Sequence, residues 1–265
     1  MERVRTADGF EIPFVVEGDD GGQGLVFAHG LMGTGAAQRL QLAPLVETGW
    51  KVVTFDQRGH GGATPVTDAA GYDPIAMGGD LWTVADAAGL DRCWIGGGSM
   101  GAATSFCAAR SKPERVEGLV QCIPALRDEA HPMVFGFDAI AGVLHDGGIE
   151  GLIAALRQFA TSMGRDESDE VFLSELKSHD PASLELALRN VPRWILDDVP
   201  SAFADLPFRV VVFGWDNDPI HPLQTAKDMA ASARVDLIEL DSVEAFTDRT
   251  LLGRLLHDAL EKAPA

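Results

Sequence analysis

Cysteine is sparse here and forms no pattern. Cys93, Cys107 and Cys122 are the only three in 265 residues, widely spaced and set in apolar surroundings. With no C-x-x-C pair, a thiolate zinc site and a dithiol redox motif are excluded. Buried, reduced thiols in a cytoplasmic protein fit this usage. Positive charge is also scarce, with 21 Lys and Arg against 40 Asp and Glu and a net charge of −19. Such a surface repels nucleic acid and anionic membranes, so neither is expected as a partner. The opening stretch MERVRTADGFEIPFVVEG has no apolar run long enough for a signal peptide. Later apolar runs have strand length, so no membrane span is expected. Clustered His and Asp at ligand spacing are missing as well, which argues against a metal. No other cofactor is implied. A small molecule is the expected partner, and a homo-oligomer is left open.

What the chain does have is enough apolar residue to build a sizeable core, 46% against 23% charged. Short apolar runs recur at EIPFVVEG, GLVFAHG, Val52–Phe55, Cys93–Ile95 and Gly118–Ile123. Most are continuous rather than alternating, as suits parallel strands buried on both faces. Helical patterns such as LQLAPLVETGW lie between them, so an α/β domain with a mostly parallel sheet is predicted. From Pro124 to about residue 200 no buried-strand run occurs, and DAIAGVLHDGGIEGLIAALRQFATSMG and SLELALRNVPRWILDDV carry helical periodicity. Strand signals return in FRVVVFGWD and RVDLIELD, and RTLLGRLLHDALEKA closes the chain as a helix. The expected organisation is a core of residues 1–124 and 201–265 with a helical cap, 125–200, inserted late in the sheet.

GGGSMG, residues 96–101, sets Ser99 between glycines at G-x-S-x-G spacing, after an apolar run and before a helix. This is the context of a nucleophile elbow, in which a sharp strand-to-helix turn presents the hydroxyl. Gly97 and Gly101 leave room where a larger side chain would meet the neighbouring strand and helix. The N–H of Met100 then lies at a helix N-terminus, where it can stabilise an oxyanion.

The chain resembles the α/β-hydrolase family over nearly its whole length. HGLMG at 29–33, FDQRGHG at 55–61, GGSMG at 97–101 and GWDNDPIHP at 214–222 occur in the family's order and at its usual separations. The resemblance implies that Leu31 completes the oxyanion hole and that His29 and His60 order their loops. It makes Asp218, ahead of Asp216, the acid that ends a late strand. It also places a histidine after the last strand, where this chain reads DSVEAFTD with Ala245 at the expected position. His221, three residues after Asp218, is the alternative base, although acid and base so close in sequence are unusual. His257 belongs to the polar side of the last helix, and His131, His145 and His179 match no triad position.

On this reading the nucleophile and acid are present and the base is missing. Three explanations are taken in order: an engineered His-to-Ala replacement at 245, natural loss of hydrolysis, or another group acting as base. A serine at the elbow, rather than aspartate, points to acyl transfer on an ester, lactone or related bond. Among Met133, Phe135, Phe137, Phe159, Met163, Trp194 and Ile195 of the cap, a subset facing Ser99 is expected to favour a small apolar substrate. The reading is therefore a serine esterase-type hydrolase impaired at position 245. The alternative is a non-hydrolytic protein that binds a ligand on the same fold or does base-independent chemistry.

Overall fold

The computed structural model describes residues 1–262, apart from 126, 163–169, 217, 219 and 241–247. Eight strands form one sheet: β1 Glu2–Arg5, β2 Glu11–Glu17, β3 Gly24–Ala28, β4 Lys51–Phe55, β5 Cys93–Gly98, β6 Val116–Cys122, β7 Arg209–Trp215 and β8 Leu237–Leu240. Their order is β1-β2-β4-β3-β5-β6-β7-β8. The β1–β2 and β2–β4 pairs are antiparallel, and from β4 to β8 every pair is parallel.

Side chains alternate across each strand, so neighbouring residues enter opposite cores. Leu25 and Phe27 of β3 pack with Trp94, Phe213, and with Leu42 of α1 (Gly35–Glu47) and Leu256 of the last helix. Val26 and Ala28 pack on the other face with Leu81 and Trp82 of α2 (Pro74–Ala87) and Phe106 of α3 (Met100–Ser111). Burial on both faces is why the strand sequences are continuously apolar. Truncating a side chain such as Leu25, which is fully buried, costs about 2–5 kcal/mol.

Between β6 and β7 the described residues form helices and turns: α4 Val134–Ser162, α5 Glu170–Glu175 and α6 Pro181–Asn190, with short 3₁₀ turns. Leu144, Leu152 and Ile153 of α4 bury themselves against Leu184 and Leu188 of α6. Two more helices complete the core, α7 Leu223–Ala233 and α8 Leu251–Lys262. The fold is thus a mostly parallel sheet flanked by helices, with a helical insertion.

The stretch Val134–Gln158 is long and apolar enough, by composition, to cross a membrane, with a mean hydropathy of 1.4. Charged and glycine residues break its runs into strand-length pieces, yet its average stays high. The chain leaves helical geometry at Gly148, where φ is 61° and ψ is −165°. The straight segment before it is about 14 residues, or about 21 Å, short of the roughly 30 Å hydrocarbon core.

Candidate active site

The site lies at the C-terminal ends of the parallel strands, where β5 turns into α3. Ser99 has φ 53° and ψ −112°, a region that side-chain-bearing residues rarely occupy. Holding it there costs about 1–3 kcal/mol, which the surrounding packing sustains. The glycines make that packing possible: a Cβ added to Gly97 would stand 2.3 Å from the Gly101 backbone, and one on Gly101 would stand 2.0 Å from the Ala28 carbonyl oxygen. Strand, turn and helix are in contact at backbone level, and the serine has one way to point.

It points at His221. The Oγ of Ser99 is 2.8 Å from Nε2 of His221, and Nδ1 of that ring is 2.7 Å from Oδ2 of Asp218. The carboxylate can only accept, so Nδ1–H donates to it and Nε2 is left to accept the serine proton. The expectation that no histidine reaches the serine is therefore corrected. Position 245 lies outside the described residues, and the residue beside Ser99 is the alternative, His221.

The reason is the local turn. Oδ1 of Asp218 accepts the backbone N–H of Ile220 at 2.8 Å and that of His221 at 3.1 Å. Those two bonds fold the chain back over the aspartate, as an Asx turn does. The fold-back swings the His221 ring beside the free oxygen, Oδ2, so a three-residue separation suffices. Burial alone would raise the Asp218 carboxyl, but its bonds to His221 and the two N–H groups outweigh burial and hold it below the usual carboxylate range. Asp216 instead extends the end of β7 toward β8, its N–H donating to the Leu240 carbonyl at 3.1 Å.

Leu31 and Met100, the two expected oxyanion donors, both line the cavity beside Ser99. Met100 opens α3, so its N–H belongs to the helix's first, unpaired turn. The Leu31 loop presses close: a Cβ on Gly30 would lie 3.4 Å from that of Ser99. His29 holds this loop. Its Nδ1–H donates to the Gly30 carbonyl at 2.8 Å and its Nε2 accepts the Gln57 N–H at 2.9 Å. Gln57 in turn donates to the His29 carbonyl and accepts from the Thr104 hydroxyl of α3. Burial pushes the His29 ring down to about 4, so it is a neutral structural group.

The cavity has a volume of about 280 Å³. Apart from Ser99, His131 and His221, the described lining residues are apolar. From the sheet side come Met32, Ile123, Trp215 and Ile220; from the helical insertion come Phe137, Phe172, Val191 and Trp194. Of the cap residues singled out in the sequence, Phe137 and Trp194 face the serine. Met133, Phe135 and Ile195 are exposed instead. The side chain of Phe159 and residue 163 lie outside the described residues. Phe172 was not singled out as a lining residue, while His131, read in the sequence as matching no triad position, also lines the cavity. The sequence marks Phe172 only as part of the short apolar run VFL, residues 171–173, after an acidic stretch. Among the described residues no group of three or more His, Cys, Asp or Glu could hold a metal ion.

Residues 24–237 match the family model described as the alpha/beta hydrolase fold. A candidate carbamate hydrolase, RutD, from Caulobacter segnis is 26% identical over 210 residues, covering 78% of each chain. Among solved structures, a thermophilic esterase from Thermogutta terrifontis is similar with a TM-score of 0.80 at 20% identity, covering 99% of both chains. An enol-lactonase from Burkholderia xenovorans LB400 also reaches 0.80, at 18% identity, over 98% of this chain and 100% of that one. At such identities the structural likeness speaks to the fold. The family match spans most of the sequence and includes the serine, the acid and the loop behind the cavity, and on it the chain belongs to the α/β-hydrolase family.

Proposed function

We propose that the protein is a serine hydrolase that cleaves an ester, lactone or related acyl bond of a small apolar substrate, with Ser99, His221 and Asp218 as its triad. The observation that carries this reading is the continuous hydrogen-bond chain from Asp218 through His221 to Ser99. A protein that only binds a ligand has no need of a serine held in strained geometry against a histidine with an ionised partner. The family relationship supports hydrolysis in general, and the serine and its base support acyl transfer in particular.

The reaction follows from the geometry. Ser99 Oγ attacks the acyl carbon while Nε2 of His221 takes its proton. Asp218 keeps Nδ1 protonated and offsets the charge the ring acquires. The carbonyl oxygen becomes an oxyanion facing the N–H groups of Leu31 and Met100. As the intermediate collapses, the ring returns the proton to the leaving oxygen and an acyl-enzyme remains. A water, deprotonated by the same nitrogen, attacks that ester, releases the acid and restores the serine. A carbamate, the bond for which the Caulobacter relative is named, presents a carbonyl carbon to the same attack.

The cavity volume of about 280 Å³ lies at the small end of ligand pockets, roughly 300–1,000 Å³. With no Lys, Arg, Asp or Glu among the described lining residues, a charged acyl group would lose its hydration without a partner from them. Short neutral p-nitrophenyl esters are therefore expected to turn over faster than long-chain or carboxylate-bearing ones.

The test is labelling with a fluorophosphonate and turnover of p-nitrophenyl butyrate by the wild type, S99A and H221A. Labelling at Ser99 is expected, with kcat falling about 10⁴- to 10⁶-fold in either variant. An unlabelled wild type with no turnover would sink the serine-hydrolase reading and make ligand binding the better account.

A further inference from the structure

The acid and the base share one turn, and that raises a mechanical question. Their mutual contact is local, three residues apart, and survives any rigid movement of the turn. The contact between His221 and Ser99 spans 122 residues of sequence, and a rigid movement of the turn would break it. Something has to hold the turn against the serine.

His131 is placed to do this. It lies at the start of the cap and is nearly buried, with 8% of its surface exposed. Its Nδ1 accepts the Met133 N–H at 3.0 Å, which leaves the proton on Nε2. That Nε2–H donates to the backbone carbonyl of Ile220, the residue just before His221. The ring is fixed from behind as well. The His131 N–H donates to the Pro192 carbonyl at 2.9 Å, and Phe137 meets the ring edge-to-face at 5.5 Å. Burial keeps the ring below its ordinary pKa, partly offset by the bond to Ile220, so it stays neutral, and its bonds to Met133 and Ile220 fix the tautomer. The turn is therefore gripped from two sides: Asp218 holds the N–H groups of Ile220 and His221, and His131 holds the carbonyl of Ile220.

We propose that His131 is a positioning residue: from the cap, it clamps the Ile220 carbonyl and so sets the distance between His221 and Ser99. This rests on the triad reading above. The cap then does more than close over the substrate, because one of its residues completes the alignment of a base that the β7 loop alone would leave loosely placed. A displacement of about 1 Å at a reacting group is enough to cost roughly 100-fold in rate.

The experiment compares wild type, H131F and H131Q by steady-state kinetics on p-nitrophenyl butyrate, with the rate of fluorophosphonate labelling measured in parallel. Phenylalanine keeps the ring and its packing and removes the donor. Glutamine returns an N–H at about the position of Nε2. For H131F the expected result is a fall in kcat and in labelling rate of roughly 10- to 100-fold. KM should change less than kcat, because the loss lies in the alignment of the base, and the acid limb of the pH profile should stay in place, because the Asp218–His221 pair is intact. H131Q should recover most of the loss. Near-wild-type kcat in H131F overturns the proposal. So does a raised KM at unchanged kcat, which would make His131 a substrate contact, or a loss that glutamine fails to recover in folded protein. If H131F does not fold, H131L carries the same comparison against H131Q. A wild type that takes no label is a separate result, since it removes the triad reading itself.

Discussion

At Asp218 one side chain does two jobs with its two oxygens. Oδ1 shapes the turn through backbone N–H groups, and Oδ2 receives the histidine. D218N tests both at once. An amide nitrogen presented to Nδ1 would favour the wrong tautomer, with the proton on Nε2, where it cannot accept from serine. A kcat lower by about 10⁴-fold is expected in the ester assay. A245H is the complementary variant. Because His221 already stands at the serine, restoring histidine at 245 should leave kcat where it is. A large gain would mean that the base belongs at 245 and that His221 is its substitute. The position was read from the family pattern, and no local rule of sequence distinguishes a base that follows its acid by three residues from an ordinary loop histidine.

The elements set the tolerances. Where β5 turns into α3, a Cβ at Gly101 meets the backbone of β3, which cannot move without opening the sheet. G101A should therefore cost stability, about 1–3 kcal/mol as overpacking does, and should lose ester turnover by tilting Ser99 off His221. A urea midpoint equal to wild type would show that the elbow has slack it is not credited with here. A second joint ties α2 to the loop after β4. The Arg58 guanidinium, almost wholly buried, donates through Nε and Nη2 to both oxygens of Asp80 at 2.6 Å and reaches Asp8 at 2.9 Å. Removing Asp80 leaves the buried cation with only the half-exposed Asp8 of the two carboxylates, so D80A should lose about 3–5 kcal/mol, read as a shifted urea midpoint. Charge patterns in sequence gave no hint of this pair, because 22 residues separate its members and only the packing of α2 on the sheet joins them.

Across the whole molecule, the sheet and the helical insertion meet over three buried histidines. The His60 ring lies 5.2 Å from that of His29 and 5.4 Å from that of His179, which the helical insertion contributes. His179 also reaches the Gly33 carbonyl at 3.2 Å. Burial pushes all three below the ordinary histidine range, His29 to about 4. Each is neutral in the fold and becomes a cation in the unfolded chain below about pH 6.5. Their contribution to stability is complete above that pH and is lost as pH falls toward 4, each adding up to about 1.4 kcal/mol per pH unit to the slope. Urea midpoints should thus fall between pH 7 and 4.5, and less steeply in H179Q, which keeps a neutral polar group in the cap. Equal slopes would show that His179 does not titrate with unfolding.

The sequence by itself determined the architecture and half of the site. Continuous apolar runs between helical patterns specify a parallel sheet covered on both faces. A glycine-flanked serine at a strand-to-helix junction specifies an elbow, since only that turn needs those glycines. These are local or periodic signals, written within a few residues of where they act. Only the tertiary structure decided which histidine meets the serine, which cap residues face the cavity and which carboxylate meets Arg58. Such pairings depend on how a turn folds back on its own aspartate and on which elements pack together. The same letters, DPIH, are a loop until Ile220 and His221 turn their N–H groups onto Asp218 and β5 brings Ser99 alongside.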